Sequence, residues 1–373
     1  MKRTPSLIRW LAAIYSVAAI FPHPAQAWGA LGHRLVVETS ALILERGGNS
    51  DGRPSPWGAL LARHRFALGA YAYLPDSTFR TEDGNGGKTE SLQHFFDYDL
   101  AKLADPTPGL SKFPRQYSAA REFLARAATP AKLPGLGTSP WRVEQLSALA
   151  QGELAAVRTV PAGYLRGLTA TGDGQHIFQA LFYLGVLSHY TGDAMVPYHA
   201  TSDWNAWGVH QGGAHFFFES DCVDALEPEL GPKVLDLALS ERKKWEKEWA
   251  GADNVPAVLF KVYQEDEQSL ARALSLDKNS ILKPSGEDQK TPALRKPALL
   301  ACQEFMPFLT ERLARGAVLT SYLWQKILPA APVFAKGAPL QFFDYNPNAL
   351  YIVPEFMAPQ AVPAYRSSPS NSP

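Results

Sequence analysis

The chain has 373 residues, of which 46% are hydrophobic and 19% charged, with 36 basic and 36 acidic side chains. That length and apolar content suffice for the core of one large domain or two small ones and exclude a wholly disordered chain. Net neutrality excludes a protein that gathers nucleic acid by bulk positive charge, and two cysteines are too few for a thiolate zinc site.

Residues 1–27 read as a secretory signal. Lys2, Arg3 and Arg9 precede an apolar stretch from Trp10 to Phe21, and Ala25-Gln26-Ala27 is a small-x-small cleavage site. The stretch is short for a membrane span. Cleavage after Ala27 would make Trp28 the mature N-terminus, strip three basic residues and leave a slightly acidic chain, secreted or periplasmic.

Apolar residues at helical spacing predict helices near 34–46, 59–72, 112–128, 141–158, 175–191, 232–250, 256–275 and 293–328. Gly- and Pro-bearing stretches at 47–58, 129–140 and 278–292 punctuate them. No series of alternating strand patterns appears, so the expected class is all-α, a multi-helix single domain over 28–328. The run from Ile177 to Leu187 is apolar on nearly every side and belongs in the middle of a bundle. Residues 329–373 hold nine of the 30 prolines and read as an extended tail, partly docked by its aromatics, with 367–373 disordered. Cys222 and Cys302 form one disulfide or remain buried thiols; spacing does not decide.

Chemistry begins where the apolar helix ends. His189 and Asp193 are four apart, which puts both on one helical face. Pro197 should end or bend that helix before His199. His215 and Glu219 repeat the spacing after three phenylalanines. A lone His and Asp at this spacing is more often a helix-surface pair. Here both carboxylates adjoin apolar runs with no Lys or Arg beside them in sequence, and a buried carboxylate needs a compensating charge. Two such pairs and His199, all on N and O donors, point to a divalent metal.

The run His189-Tyr190-x-Gly192-Asp193-x-x-x-Pro197-x-His199-Ala200, preceded by Phe182-Tyr183-Leu184-Gly185, resembles the signature of the bacterial zinc-dependent phospholipases C. Their superfamily includes the zinc-dependent single-strand nucleases of fungi and plants. Matching elements run from Trp28 to about Leu328. The resemblance implies a helical fold and about three zinc ions. One would be held by Asp76, His94, His189 and Asp193, a second by the amino and carbonyl groups of Trp28 with His33 and a bridging Asp193, and a third by His199, His215 and Glu219. His210 is a weaker competitor for the third site; His64 and His176 are structural or surface residues, and Asp97 and Asp99 supporting ones.

The implied reaction is attack of a zinc-bound hydroxide on phosphorus, with Asp76 as a further catalytic proton acceptor. The implied substrate is phospholipid, cut to diacylglycerol by a monomer in transient contact with a membrane surface. The His-x-x-x-Glu spacing from His215 sides with the phospholipases, whereas Trp28 to His33 looks nuclease-like. A single-strand nuclease or 3'-nucleotidase is therefore the alternative, and a non-catalytic zinc-stabilised binding protein the third reading. Leu31, Ser77 and Ser91 stand where the best-known phospholipase contacts choline, which leaves Tyr71 or Tyr73 as aromatic substitutes.

Overall fold

Helix α1 (Gly29–Arg46) begins directly after Trp28. Trp28 and Gly29 both adopt the left-handed region, with φ of 31° and 52°, which turns the chain abruptly into the helix. A tryptophan is strained there, and tertiary contacts hold it. Its buried indole Nε1 donates to the Gly192 carbonyl at 2.7 Å and its ring tilts against Phe218. The computed structural model describes residues 28–47, 57–126, 133–156, 173–329 and 351–357. The expected signal and residues 367–373 lie outside these.

The further helices are α2 (Gly58–Arg63), α3 (Arg65–Ala72), α4 (Tyr98–Ala104), α5 (Tyr117–Ala125), α6 (Ser139–Ala156), α7 (Asp173–Asp193), α8 (Cys222–Trp249), α9 (Val255–Ser280) and α10 (Met306–Ile327). The fold is all-α. Strands β1 (Ile281–Lys283) and β2 (Leu294–Arg295) form one small antiparallel pair, with Ile281 opposite Arg295 and Lys283 opposite Leu294.

Prolines account for most departures from the expected boundaries. The expected helix over 293–328 is instead β2, a single turn at Ala298–Ala301 after Pro297, and α10, which carries Pro307 in its first turn where no N–H is needed. The helix expected from 112 starts only at Tyr117, beyond Pro114. Conversely, α8 runs through Pro228 and Pro232 back to Cys222. Each proline forfeits one helical bond, but Leu226, Leu230 and Val234 are buried along that stretch and hold it. Helix α4 is too short for its periodicity to be read.

Helix α7 is the central element and packs on α6, α3, α10 and α1. Ile177, Leu181, Leu184 and Leu187 are buried along it, and each contributes roughly 1.5–3 kcal/mol through the apolar area removed from water. Gly185 lets α3 approach: a Cβ there would stand 2.8 Å from the Tyr71 Cβ and 3.1 Å from the Leu68 carbonyl. The outcome is that the last turn of α7, with His189 and Asp193, is delivered to the interior rather than to the surface.

Cys222 and Cys302 are bonded, tying the start of α8 to the turn before α10 across 80 residues of chain. Loop closure on that scale is worth roughly 4–5 kcal/mol of unfolded-state entropy. The double variant Cys222→Ala/Cys302→Ala should lose about 3–5 kcal/mol of unfolding free energy in a denaturant titration; an unchanged midpoint would deny the bond a stabilising role. Farther along, Tyr351 meets Phe79 edge-on at 5.5 Å and Phe356 meets Tyr117 at 5.2 Å, so the described part of the proline-rich segment is docked by aromatics.

Candidate metal centre

Seven short stretches converge at the C-terminal end of α7. Helix α1 supplies His33, and a π-helical turn after α3 (Pro75–Phe79) supplies Asp76. The loop before α4 supplies His94, and α7 supplies His189 and Asp193. A 3-10 turn (Pro197–Ala200) supplies His199. The turn Ala214–Phe216 carries His215, and a second π-helical turn (Phe217–Asp221) carries Glu219. Both π turns hold a carboxylate, and such wide turns recur at functional sites. The His94 loop is clamped where Thr138 N donates to Leu92 O and Asp97 N to Leu136 O, both at 2.7 Å. Gly137 allows the crossing: its φ is +79°, and a Cβ would lie 2.1 Å from the Phe95 carbonyl.

These side chains form three buried groups, His33–Asp76–His189, His94–His189–Asp193 and His199–His215–Glu219, whose candidate ligand atoms lie within 4.8 Å of one another in each. Asp193 is the hub. Its Oδ2 stands 3.0 Å from His94 Nδ1 and 3.2 Å from His189 Nε2, and its Oδ1 stands 3.4 Å from His33 Nε2. Asp76 Oδ2 comes within 3.7 Å of the same His33 nitrogen, so either carboxylate reaches it. In the third group His199 Nε2 is 2.8 Å from His215 Nε2, and Glu219 Oε1 is 3.0 Å from His215 Nε2. Trp28 adjoins the groups: its carbonyl accepts the first α1 bond from Gly32 N, and its indole donates to the carbonyl of Gly192, the neighbour of Asp193.

The donors fit a cation. His189 Nδ1 and His199 Nδ1 each lie 2.7 Å from a backbone carbonyl, of Ala72 and His94 respectively. A carbonyl only accepts, so each ring carries its proton on Nδ1 and turns a bare Nε2 lone pair inward. Those bare nitrogens nonetheless sit 2.9 Å from His94 Nδ1 and 2.8 Å from His215 Nε2. Asp76 Oδ2 and Asp193 Oδ1 are buried and accept no hydrogen bond among the described residues. Without a cation, burial pushes the Asp76 carboxyl up to about 7 and lifts Asp193 and Glu219 well above the carboxylate range. Burial also lowers His189 and His199 to about 4 and His215 to about 3. Acids and bases alike are thus held neutral, and a divalent ion would replace the protons on the acids.

A layer behind the ligands escaped the sequence reading. Glu90 is fully buried; the Tyr190 hydroxyl donates to it, and Arg142 Nη2 lies 3.6 Å away. Its Oε1 faces His94 Nε2 at 3.6 Å, too long for a hydrogen bond but close enough to orient the ring with Nδ1 toward Asp193. Carboxylates that back a ligating His typically alter metal affinity 10- to 100-fold. Glu90→Gln should accordingly speed metal release to a chromophoric chelator roughly tenfold or more; unaltered release would remove Glu90 from that role. Arg80, four residues after Asp76, donates to Asp76 Oδ1 and Ser91 Oγ, each at 3.1 Å. That spacing was the one signal for it.

The His94, His199 and His215 side chains line a cavity of about 550 Å³ with Arg80, Phe95, Leu100 and Trp204. Arg80 is the one permanent cation among the described residues that line it. Trp204 meets His215 edge-on at 5.6 Å with 46% of its surface exposed. Ser91 lines the cavity; Tyr71 does not, because it packs edge-on against Phe182 at 5.2 Å in the core. Asp97 lines it too, its carboxyl held up at about 8 by burial and by Asp99. Asp99 itself ties α4 to Thr201 and Ser202. His210 is exposed and outside the three groups, and His176 pairs with Glu153 at 2.6 Å.

No family model matches this chain, and no curated protein matches it in sequence. Among solved structures it is similar to the alpha-toxin of Clostridium perfringens isolated from an avian strain, at 16% identity and a TM-score of 0.38 over 82% of this chain. It is also similar to the alpha toxin of Clostridium absonum, at 14% identity and a TM-score of 0.37 over 82% of this chain. The chain spans 66% of the length of each toxin, and at these scores the chemistry rests on the geometry above.

Proposed function

We propose that the chain is a zinc-dependent phosphodiester hydrolase whose substrate is phospholipid and whose product is diacylglycerol. The observation that carries this reading is the convergence of three buried His/Asp/Glu groups, two of which reach one cavity through His94, His199 and His215 beside a permanent cation. His33 with Asp76 and Asp193, His94 with His189 and Asp193, and His199 with His215 and Glu219 would hold the ions, with the main chain of Trp28 adjoining. An all-N/O set of this kind suits zinc. When bound, such ions supply Lewis acidity to a phosphoryl oxygen and make water acidic enough to attack phosphorus near neutral pH.

The chain's own residues do the rest. Arg80, braced by Asp76 and Ser91, orients a phosphoryl oxygen in the cavity and offsets its charge. Asp76, whose buried Oδ2 accepts no hydrogen bond among the described residues, accepts the proton of the attacking water. Glu90, Tyr190 and Arg142 hold the His94 ring in place. Phe95, Leu100 and Trp204 exclude water and offer apolar contact to a leaving group. The signature around His189 and the His215–Glu219 spacing support a lipid substrate. The exposed Trp204 ring equally offers a base a stacking platform, which favours the nuclease as the second reading.

The test measures diacylglycerol released from phospholipid vesicles and nucleotides released from single-stranded DNA, with zinc-loaded protein in both arms. Diacylglycerol without nucleotides is the expected result. Nucleotides alone would overturn the substrate, and neither product would leave a metal-stabilised binding protein.

A further inference from the structure

The proline-rich segment 351–357 lines no part of the cavity, yet it touches three of the stretches that carry or support the ligands. Tyr351 meets Phe79, the last residue of the π turn that holds Asp76, edge-on at 5.5 Å. Gln93, the neighbour of His94, donates through Nε2 to the Met357 thioether at 3.3 Å and to Thr89 O at 3.0 Å, while its Oε1 accepts from Thr138 Oγ1 at 3.0 Å. On α6, Gln145 Nε2 donates to Val353 O at 2.7 Å, and its Oε1 accepts from Arg142 Nη1 at 2.8 Å. Phe356 rests against Tyr117 at 5.2 Å, and Tyr351 and Met357 are buried. Two turn bonds, Glu355 N to Val353 O and Met357 N to Pro354 O, each at 2.9 Å, fold the segment so that these contacts are made together.

These contacts run to His94 by two routes. One passes from Val353 through Gln145 and Arg142 to Glu90, whose Oε1 faces the His94 ring. The other passes from Met357 through Gln93 to the adjoining backbone of His94. Tyr351 also borders the Glu90–Arg142 pair: burial and the Glu90 carboxylate push its phenol up, and Arg142 draws it back. The consequence is dielectric. A carboxylate and a guanidinium attract each other strongly where water is excluded and weakly where it enters. Glu90 and Arg142 are fully buried with the segment in place. A group behind a ligating His fixes how firmly its ring is held, so whatever keeps that pair dry acts on the ligand.

We propose that the segment 351–357 is a strap that positions His94, through the Glu90–Arg142 pair and through Gln93, and so sets how tightly the ion beside that ring is held. The inference rests on the metal reading of the centre. It is tested on the full zinc-loaded chain by following transfer of each ion to a chromophoric chelator. Tyr351→Ala and Phe356→Ala should each speed the release of one ion about tenfold, while the other ions leave at the parent's rate. Phe356 is only partly buried, so its variant carries the test if Tyr351→Ala fails to fold. Tyr351→Phe should match the parent, because the ring supplies the cover and the hydroxyl makes no hydrogen bond among the described residues. Tyr322→Ala is the control: it removes a ring packed on Trp249 at 5.9 Å and none of the contacts above, and should lower the melting temperature without altering release. Tyr351→Ala combined with Glu90→Gln should release the ion more slowly than the product of the two single effects, since both act along one route. Release from the strap variants at the parent's rate, acceleration of every ion alike, the same acceleration in Tyr322→Ala, or single effects that multiply would overturn the strap and leave the metal centre standing. A parent that retains no zinc would overturn the metal reading and the strap with it.

Discussion

Asp193→Asn is expected to lower phosphodiester hydrolysis about a thousandfold, in line with the loss of a preorganised charge at a reacting phosphoryl group, and to take close to two metal ions with it. The carboxylate stands 3.0 and 3.2 Å from His94 and His189 of its own group and 3.4 Å from His33 of the neighbouring one, so it adjoins two of the three groups. Asparagine keeps the shape and removes the charge. In the metal-free protein the change should be nearly silent, because burial already lifts the Asp193 carboxyl well above its usual range and holds it neutral. The melting temperature of the stripped variant should thus match that of the stripped parent, while the gain on adding zinc shrinks. Glu219→Gln, which serves one group, should release a single ion. Metal analysis showing less than one ion lost from Asp193→Asn would refute the hub.

Stripping the metal should abolish activity and remove several kcal/mol of stability, since a ligand at a thousandfold excess over its dissociation constant contributes about 4 kcal/mol per site. The loss should also depend on pH in a defined direction. In the stripped protein the Asp76 carboxyl rises from 3.8 to about 7, a contribution complete below the lower value and lost as pH climbs through the upper. Asp193 and Glu219 are raised for the same reason, burial, and act in the same sense. His189 and His199, lowered from 6.5 to about 4, contribute stability that is present above 6.5 and lost as pH falls toward 4. The two families oppose each other between roughly pH 4 and 6.5, because unfolding releases protons from acids and takes them up on imidazoles. Above about pH 6.5 the acids act alone, and the stripped protein should weaken steadily. Bound metal inverts this, since it needs the acids ionised. The stabilisation by zinc, read as the shift in thermal midpoint at pH 6, 7 and 8, should grow with pH. A shift that is flat or shrinks over that range would contradict the proposed ligation.

What the amino-acid order determined by itself is whatever depends on short range. The helical class follows from apolar spacing, and the burial of α7 from a run apolar on every side. The pairs His189–Asp193 and His215–Glu219 follow from four-residue spacing, which places two side chains on one face whatever surrounds them. Tertiary packing decided the rest. Whether His33 faces Asp76 or Asp193 depends on how α1 lies against α7, and it meets both. Glu90 and Arg142 carry no signal as letters; they became a support for His94 because α6 packs along α7 and buries them beneath it. The cysteines, 80 residues apart, were a bond or two thiols until the turn before α10 met the start of α8. Trp204 is an apolar residue whose exposure no periodicity reveals, because exposure is set by what fails to pack over it. Spacing along one element is a local property of the backbone, whereas pairing between elements is fixed only when the whole core closes.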